Sequence, residues 1–452
     1  MMANLTVAMI SIVNNHYVMK LYADRTFSID TENAFKIGPH IDAVEHVSGN
    51  VVKLNLGEPD FPVPTHIKNE IKRQLDLDNT HYCDPQGLLT LRVAISKQIS
   101  ETRGIAVDPE RVVVFPGGKP SIGLAQQVYC NPGDEVIYPS PGFPIYESFV
   151  RYVGAVPIPL HLDENSNFVF TPEDLAKLIT PKTKLIYLNF PSNPTGGVVS
   201  HEQLEDIAAV ILDRCPEEVR VYSDEIYENI VFDDQTHTSI ASVSGMESRT
   251  IIASGFSKTY AWTGGRIGYA LFPSREEANV FKNLNINYFS CVTPYNQEGA
   301  RVALESHLSE KCIRNMVDNF QVRRDAILNK LNAISGISCT KPGGAFYLFP
   351  NISSVCHELG LVDYYAKLSS NERSQTSPSG LFQMFALYYH NVAILDRQSF
   401  GKIGSEGQHY VRLSIASDLT VLDDGINKLS DAAQDYSGIE KFFDRRPDLK
   451  LS

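Results

Sequence analysis

The chain passes again and again from a short β-branched run into a Gly- or Pro-rich turn and then into a helical pattern. Few folds accommodate that order. Residues 51–56, 111–115, 135–138, 184–189, 220–223, 250–253 and 266–271 read as strands. Between them Ile67, Ile71 and Leu75 stand at i, i+4 and i+8, and Ser200 to Gln203 has the spacing of a capping box. Such β-α-β alternation predicts an α/β protein with a mostly parallel sheet and helices on both faces. Ligands of such sheets lie outside the carboxyl ends of the strands.

The residues that follow the strands carry chemistry. The run 116–121 contains Gly117, Gly118, Lys119 and Pro120 ahead of a helix reaching Tyr129. A Gly-Gly turn with Pro at the first helical position leaves backbone N–H groups free to hold a phosphate. Phe143 follows the next strand in a proline-stiffened loop, as a stacking platform or a core plug. Asn193 sits in a proline-locked loop, and Asp224 ends a strand with Tyr227 three residues on. Ser254, Gly255 and Ser257 turn the chain into Lys258, with Arg266 eight residues later. Apolar surroundings disfavour an ammonium, lowering its pKa and freeing the amine for a Schiff base. Read singly, Lys258 could equally be a solvated loop lysine, and Tyr82 a loop tyrosine. Lys119 stands open between a loop lysine and a substrate contact; Trp262 and His237 read as structural.

Together an amine, a carboxylate, a phenol, an amide, a phosphate cradle and an aromatic plate describe a site for pyridoxal 5'-phosphate. The carboxylate would keep the ring nitrogen protonated so that the ring acts as an electron sink. The motifs N-P-T-G at 193–196, S-D-E-I-Y at 223–227 and S-K-x(7)-R at 257–266 resemble those of fold-type I pyridoxal-phosphate aminotransferases, class I/II. The resemblance extends from Thr31 to the last helix. It implies a large domain with a seven-stranded sheet at 62–325, and a small α+β domain built from 31–61 and 326–452, behind an N-terminal arm at 1–30.

The same resemblance, closest to the aspartate-aminotransferase-like subgroup, assigns roles. Lys258, Asp224 and Tyr227 would be catalytic. Gly117, Gly118, Lys119, Phe143, Asn193, Ser254, Ser257 and Arg266 would bind the cofactor, with Tyr82 reaching the phosphate of a neighbouring subunit in a homodimer. Gly57, in G-E-P-D-F, Lys119, Asn193 and Arg412, in R-L-S, would bind substrate, Arg412 clamping the α-carboxylate. Lys119 points to aspartate or glutamate as donor and a 2-oxo acid as acceptor. The rival is an alanine or aromatic donor, with Phe35, Tyr288 and Phe400 lining an apolar pocket. Gly255 stands where many relatives have serine, and Leu395-Asp396-Arg397 replaces a frequent Pro-Gly.

Composition narrows the alternatives. A net charge of −13 argues against nucleic acid or an anionic membrane as partner. Seven scattered cysteines without a CxxC pair read as reduced thiols in a cytoplasmic protein, and no metal site is indicated. Residues 8–13 are apolar but too short for a span and lack a basic leader, so they read as part of the arm. Residues 337–340, 344–349, 392–395 and 410–415 read as strands of the small domain, and 371–380 as its polar surface loop. A pyridoxal-phosphate lyase of the same fold shares these motifs. A cofactor-sensing regulator would need an attached DNA-binding helix pair, and the short N-terminal arm and acidic charge speak against it.

Overall fold

A computed structural model describes residues 21–30 and 32–445; the apolar run at 8–13 lies outside the described residues. A two-residue strand, β1 (Val52–Lys53), precedes the seven strands of the central sheet. These are β2 (Val112–Phe115), β3 (Glu135–Ser140), β4 (Val156–His161), β5 (Thr183–Asn189), β6 (Arg220–Asp224), β7 (Thr250–Gly255) and β8 (Gly268–Leu271), in spatial order β2-β8-β7-β6-β5-β3-β4. All neighbours are parallel except β8, which runs antiparallel to both β2 and β7.

The period-two geometry of β5 separates the two faces of this sheet. Ile186 and Leu188 pack with Ile207 and Ile211 of the helix His201–Arg214. Leu185 and Tyr187 pack with Ile122 of the helix Lys119–Tyr129 and with Tyr146. Both faces are therefore covered, as a parallel sheet requires. The strand β4 is not among those expected from the sequence; its Pro157 and Pro159 cannot donate to a ladder. β4 tolerates them as an edge strand that pairs only with β3.

The end of the chain returns to its beginning. β1 pairs in parallel with β10 (Val392–Ala393), aligning Val52 with Val392. An antiparallel three-stranded sheet is formed by β11 (Leu395–Asp396), β12 (Val411–Ser414) and β9 (Tyr347–Leu348). Val52 and Leu54 share one core with the helices Pro378–His390, Leu419–Gln434 and His307–Asn332. Two expectations are corrected. Residues 337–340 make only a single bridge, Ser338 to Asn351, rather than a strand. The stretch 371–380 is not a surface loop. It holds the short helix Ser370–Arg373 and the start of the helix Pro378–His390, with Thr376, Ser377 and Ser379 buried. Its polar residues serve as a cap: the Ser377 hydroxyl accepts from Gly380 N–H.

Candidate active site

A cavity of about 450 Å³ opens at the carboxyl ends of the parallel strands. Asn189, Asp224 and Ser254 enter it from the ends of β5, β6 and β7. Glu32 to Phe35, Gly57, Tyr347 and Arg412 close it from the other side. Of the residues the sequence singles out, Gly57, Gly118, Lys119, Phe143, Asn193, Asp224, Tyr227, Ser254, Ser257, Lys258, Arg266 and Arg412 all line this one space. So do Phe35 and Phe400, whereas Tyr288 does not. Tyr82 lies outside it and is 88% exposed.

Lys258 sits in the short helix Phe256–Thr259, directly after β7. Its Nζ donates to the carbonyl of Gly57 at 2.5 Å and lies 5.6 Å from the centre of the Phe346 ring. Burial, followed by the nearby Arg412 guanidinium, lowers its pKa to about 8. Asp224 is buried at the floor of the cavity. Burial raises its carboxyl pKa to about 6, opposed by a 2.7 Å hydrogen bond from the Tyr146 phenol. Asn189 fixes the neighbouring backbone, donating from Nδ2 to the carbonyl of Asp224 and accepting at Oδ1 from the N–H of Asn193. The phenol of Tyr227 shares a 2.8 Å hydrogen bond with that of Tyr347.

Arg412 is buried. Its Nη1 donates to Asn193 Oδ1 at 3.0 Å and its Nη2 to the carbonyl of Asn55 at 2.6 Å. The guanidinium stacks over the rings of Tyr347 and Phe400, 4.4 and 4.9 Å from their centres. Its Nε is buried without a partner, and among the described residues no carboxylate forms an ion pair with it. Burial lowers its pKa.

Two glycines are required by close approach. Gly117 has φ +91°, and a Cβ there would stand 2.0 Å from Nη2 of Arg266. A Cβ on Gly57 would meet the Tyr347 hydroxyl at 2.1 Å. Arg266, itself left-handed at φ 52°, donates from Nη1 to the carbonyl of Thr263 and from Nη2 towards that of Pro116. The Ser254 hydroxyl is engaged below the cavity, donating to Glu228 at 2.8 Å. It belongs to a buried network in which Arg103 bridges Glu225 and Glu228, and His237 Nε2 lies 3.1 Å from Glu225. Burial would raise the Glu225 carboxyl, but Arg103 and His237 outweigh it and hold it well below the usual range.

Lys119 is not free. Its Nζ pairs with the carboxylate of Glu32, between the rings of Phe35 and Phe143 at 5.9 and 5.7 Å. Sequence reasoning missed Glu32, Tyr146 and Tyr347. None follows a strand end of the sheet, and only tertiary packing brings them to the cavity.

An amine of lowered pKa, an acid at a strand end and a buried guanidinium thus share one cavity. Residues 49–429 match the family described as aminotransferase class I and II. The chain is 34% identical over 381 residues to the aspartate aminotransferase of Pyrococcus abyssi, covering 84% of this chain and 91% of that one. It is 32% identical over 404 residues to aromatic-amino-acid aminotransferase 2 of Thermococcus litoralis, covering 89% and 96%. The crystal structure of the aspartate aminotransferase from Rhizobium meliloti superposes with a TM-score of 0.81 at 30% identity, covering 91% of this chain and 98% of that one. The chain belongs to the class I and II aminotransferases and is a transaminase.

Proposed function

We propose that the protein uses pyridoxal 5'-phosphate to move an amino group from aspartate or glutamate to a 2-oxo acid. The observation that carries the reading is the convergence of Lys258, Asp224 and Arg412 on one cavity. The residues fit the cofactor on two counts: burial brings the lysine pKa to about 8, and Arg266 reaches the Gly117 turn only because that residue lacks a Cβ.

In this reading Lys258 Nζ would hold the cofactor, and the backbone N–H groups of Gly118 and Lys119, with Ser257 and Arg266, would hold its phosphate. Bound there, the pyridine ring supplies an electron sink beside the substrate α-carbon. Asp224 would present its negative charge to the ring nitrogen, Tyr227 and Asn193 would hold the ring's oxygen, and Phe143 would pack against the ring. Arg412 orients the substrate by its α-carboxylate, for which a planar guanidinium suits two oxygens. The neutral Lys258 Nζ would accept the α-proton of the substrate and hold it as an ammonium until it is given back to the substrate-derived product. Ser254, with its hydroxyl on Glu228, braces the turn rather than contacting the phosphate.

Lys119 supports an acidic donor. Phe35 and Phe400 in the lining support a second reading, an aromatic donor. The exposure of Tyr82 supports a homodimer in which that phenol reaches the partner's phosphate site. Steady-state kinetics with aspartate and 2-oxoglutarate test the proposal. Parallel lines in a double-reciprocal plot, with oxaloacetate and glutamate as products, are expected. Ammonia release without dependence on 2-oxoglutarate would instead indicate a lyase.

A further inference from the structure

Lys119 and its counter-ion form an ion pair in the cavity lining. Glu32 and Lys119 both line the cavity, and the Glu32 side chain is the more enclosed of the two at 17% exposure against 42%. The segment bearing Glu32 is fastened at both ends. Asp30 exchanges backbone hydrogen bonds with the Ser148 hydroxyl at 2.9 and 2.8 Å, and Asn33 Nδ2 donates to the Ser399 hydroxyl at 3.0 Å. The remaining charges of the lining are Glu58, Asp224, Lys258, Arg266 and Arg412. Glu58 contacts the Thr263 hydroxyl and Asp224 takes the Tyr146 phenol, so neither competes for Lys119. The negative charge of Glu32 is also felt at Lys258 and at Arg412, within the same cavity lining.

We propose that Glu32 is a specificity-determining residue: its carboxylate occupies Lys119 as an internal counter-ion, and the distal carboxylate of a dicarboxylic substrate must displace it. The inference rests on the reading of Lys119 as the contact for an acidic substrate. One ammonium cannot satisfy two carboxylates at full strength, because their mutual repulsion in a partly enclosed space offsets the second attraction. A dicarboxylic ligand exchanges one charge-assisted hydrogen bond for another and gains little. A ligand with an apolar side chain leaves the pair intact and packs against Phe35 and Phe400. Glu32 thus handicaps acidic ligands relative to apolar ones, and lets one cavity accept both.

The test compares two unreactive ligands, succinate and 3-phenylpropionate, on the cofactor-loaded protein by titration calorimetry. Glu32→Gln keeps the size and hydrogen-bonding capacity of the side chain and removes its charge. Succinate is expected to bind Glu32→Gln roughly tenfold more tightly than wild type, with 3-phenylpropionate changed less than about twofold. Retained 3-phenylpropionate binding also certifies the fold of the variant. Adding Lys119→Ala to Glu32→Gln is expected to abolish the gain. Succinate that binds wild type and Glu32→Gln equally, but is weakened by Lys119→Ala, overturns the role of Glu32 while leaving the acidic-substrate reading in place. Succinate binding indifferent to all three variants overturns both.

Discussion

The phenol of Tyr146 donates a 2.7 Å hydrogen bond to Oδ2 of Asp224, and both groups are buried. This bond favours the charged carboxylate against the burial that raises its pKa to about 6. Tyr146→Phe removes the donor and raises the pKa further, so a smaller fraction of Asp224 is ionised at acidic pH. We expect kcat/KM to fall about three- to tenfold at pH 6 and to recover as the pH rises to 8. A loss of equal size at every pH would mean that the phenol serves packing alone.

Arg412→Lys replaces a planar fork with a point charge beneath Tyr347 and Phe400. The α-carboxylate is common to all amino acids, so aspartate and phenylalanine should suffer alike. A loss of about 1.5–3 kcal/mol, roughly ten- to a hundredfold in kcat/KM, is expected for both. A loss confined to aspartate would assign Arg412 to the distal carboxylate instead.

Much of this site is legible from the chain because its parts sit where strands end. Gly117-Gly118, Asn193, Asp224 and Lys258 each follow an apolar run, and Gly and Pro mark the turns. The pieces brought from elsewhere are less visible. Glu32 lies in a polar stretch with no periodicity, and its meeting with Lys119 depends on fastening to Ser148 and Ser399. Tyr347 reaches Arg412 only because β9 pairs with β12. The prolines of β4 conceal an edge strand, and Ser377 and Ser379 read as surface although Ser377 caps a helix start and both are buried. Local pattern reports backbone punctuation well; it is silent on which side chains long-range pairing brings together.

The network under the sheet's carboxyl end supports stability. Arg103 bridges Glu225 and Glu228, all three being buried. Arg103→Met leaves Glu228 without a cationic partner and Glu225 with His237 alone, and should cost about 3–5 kcal/mol in urea unfolding. Glu225 has a folded pKa below its unfolded value. Its contribution is therefore complete above the ordinary carboxylate range and is lost as the pH falls through the folded value. Wild type should lose stability steeply below about pH 4, and Glu225→Gln less so. Identical acid profiles would remove Glu225 from the account.

The lowered pKa of Lys258 has its own signature. A lysine of pKa about 8 is mostly neutral at pH 9, where an ordinary one remains charged. Labelling of the cofactor-free protein by a small amine-reactive reagent should rise with pH at Lys258 and level off above about 8. Other lysines should continue to gain reactivity toward pH 10. A Lys258 rate that climbs in parallel with theirs would show that burial does not depress its pKa.

The central claim is that Lys258 is the residue on which the cofactor is held. The direct measurement is to load the protein with pyridoxal 5'-phosphate, reduce with borohydride, digest, and locate the pyridoxyl group by peptide mass spectrometry. The group is predicted on the peptide containing Ser257, Lys258 and Thr259, at Lys258, and Lys258→Ala should carry none. A pyridoxyl group on any other lysine, or an unlabelled Lys258 in protein that still transaminates, would contradict the account.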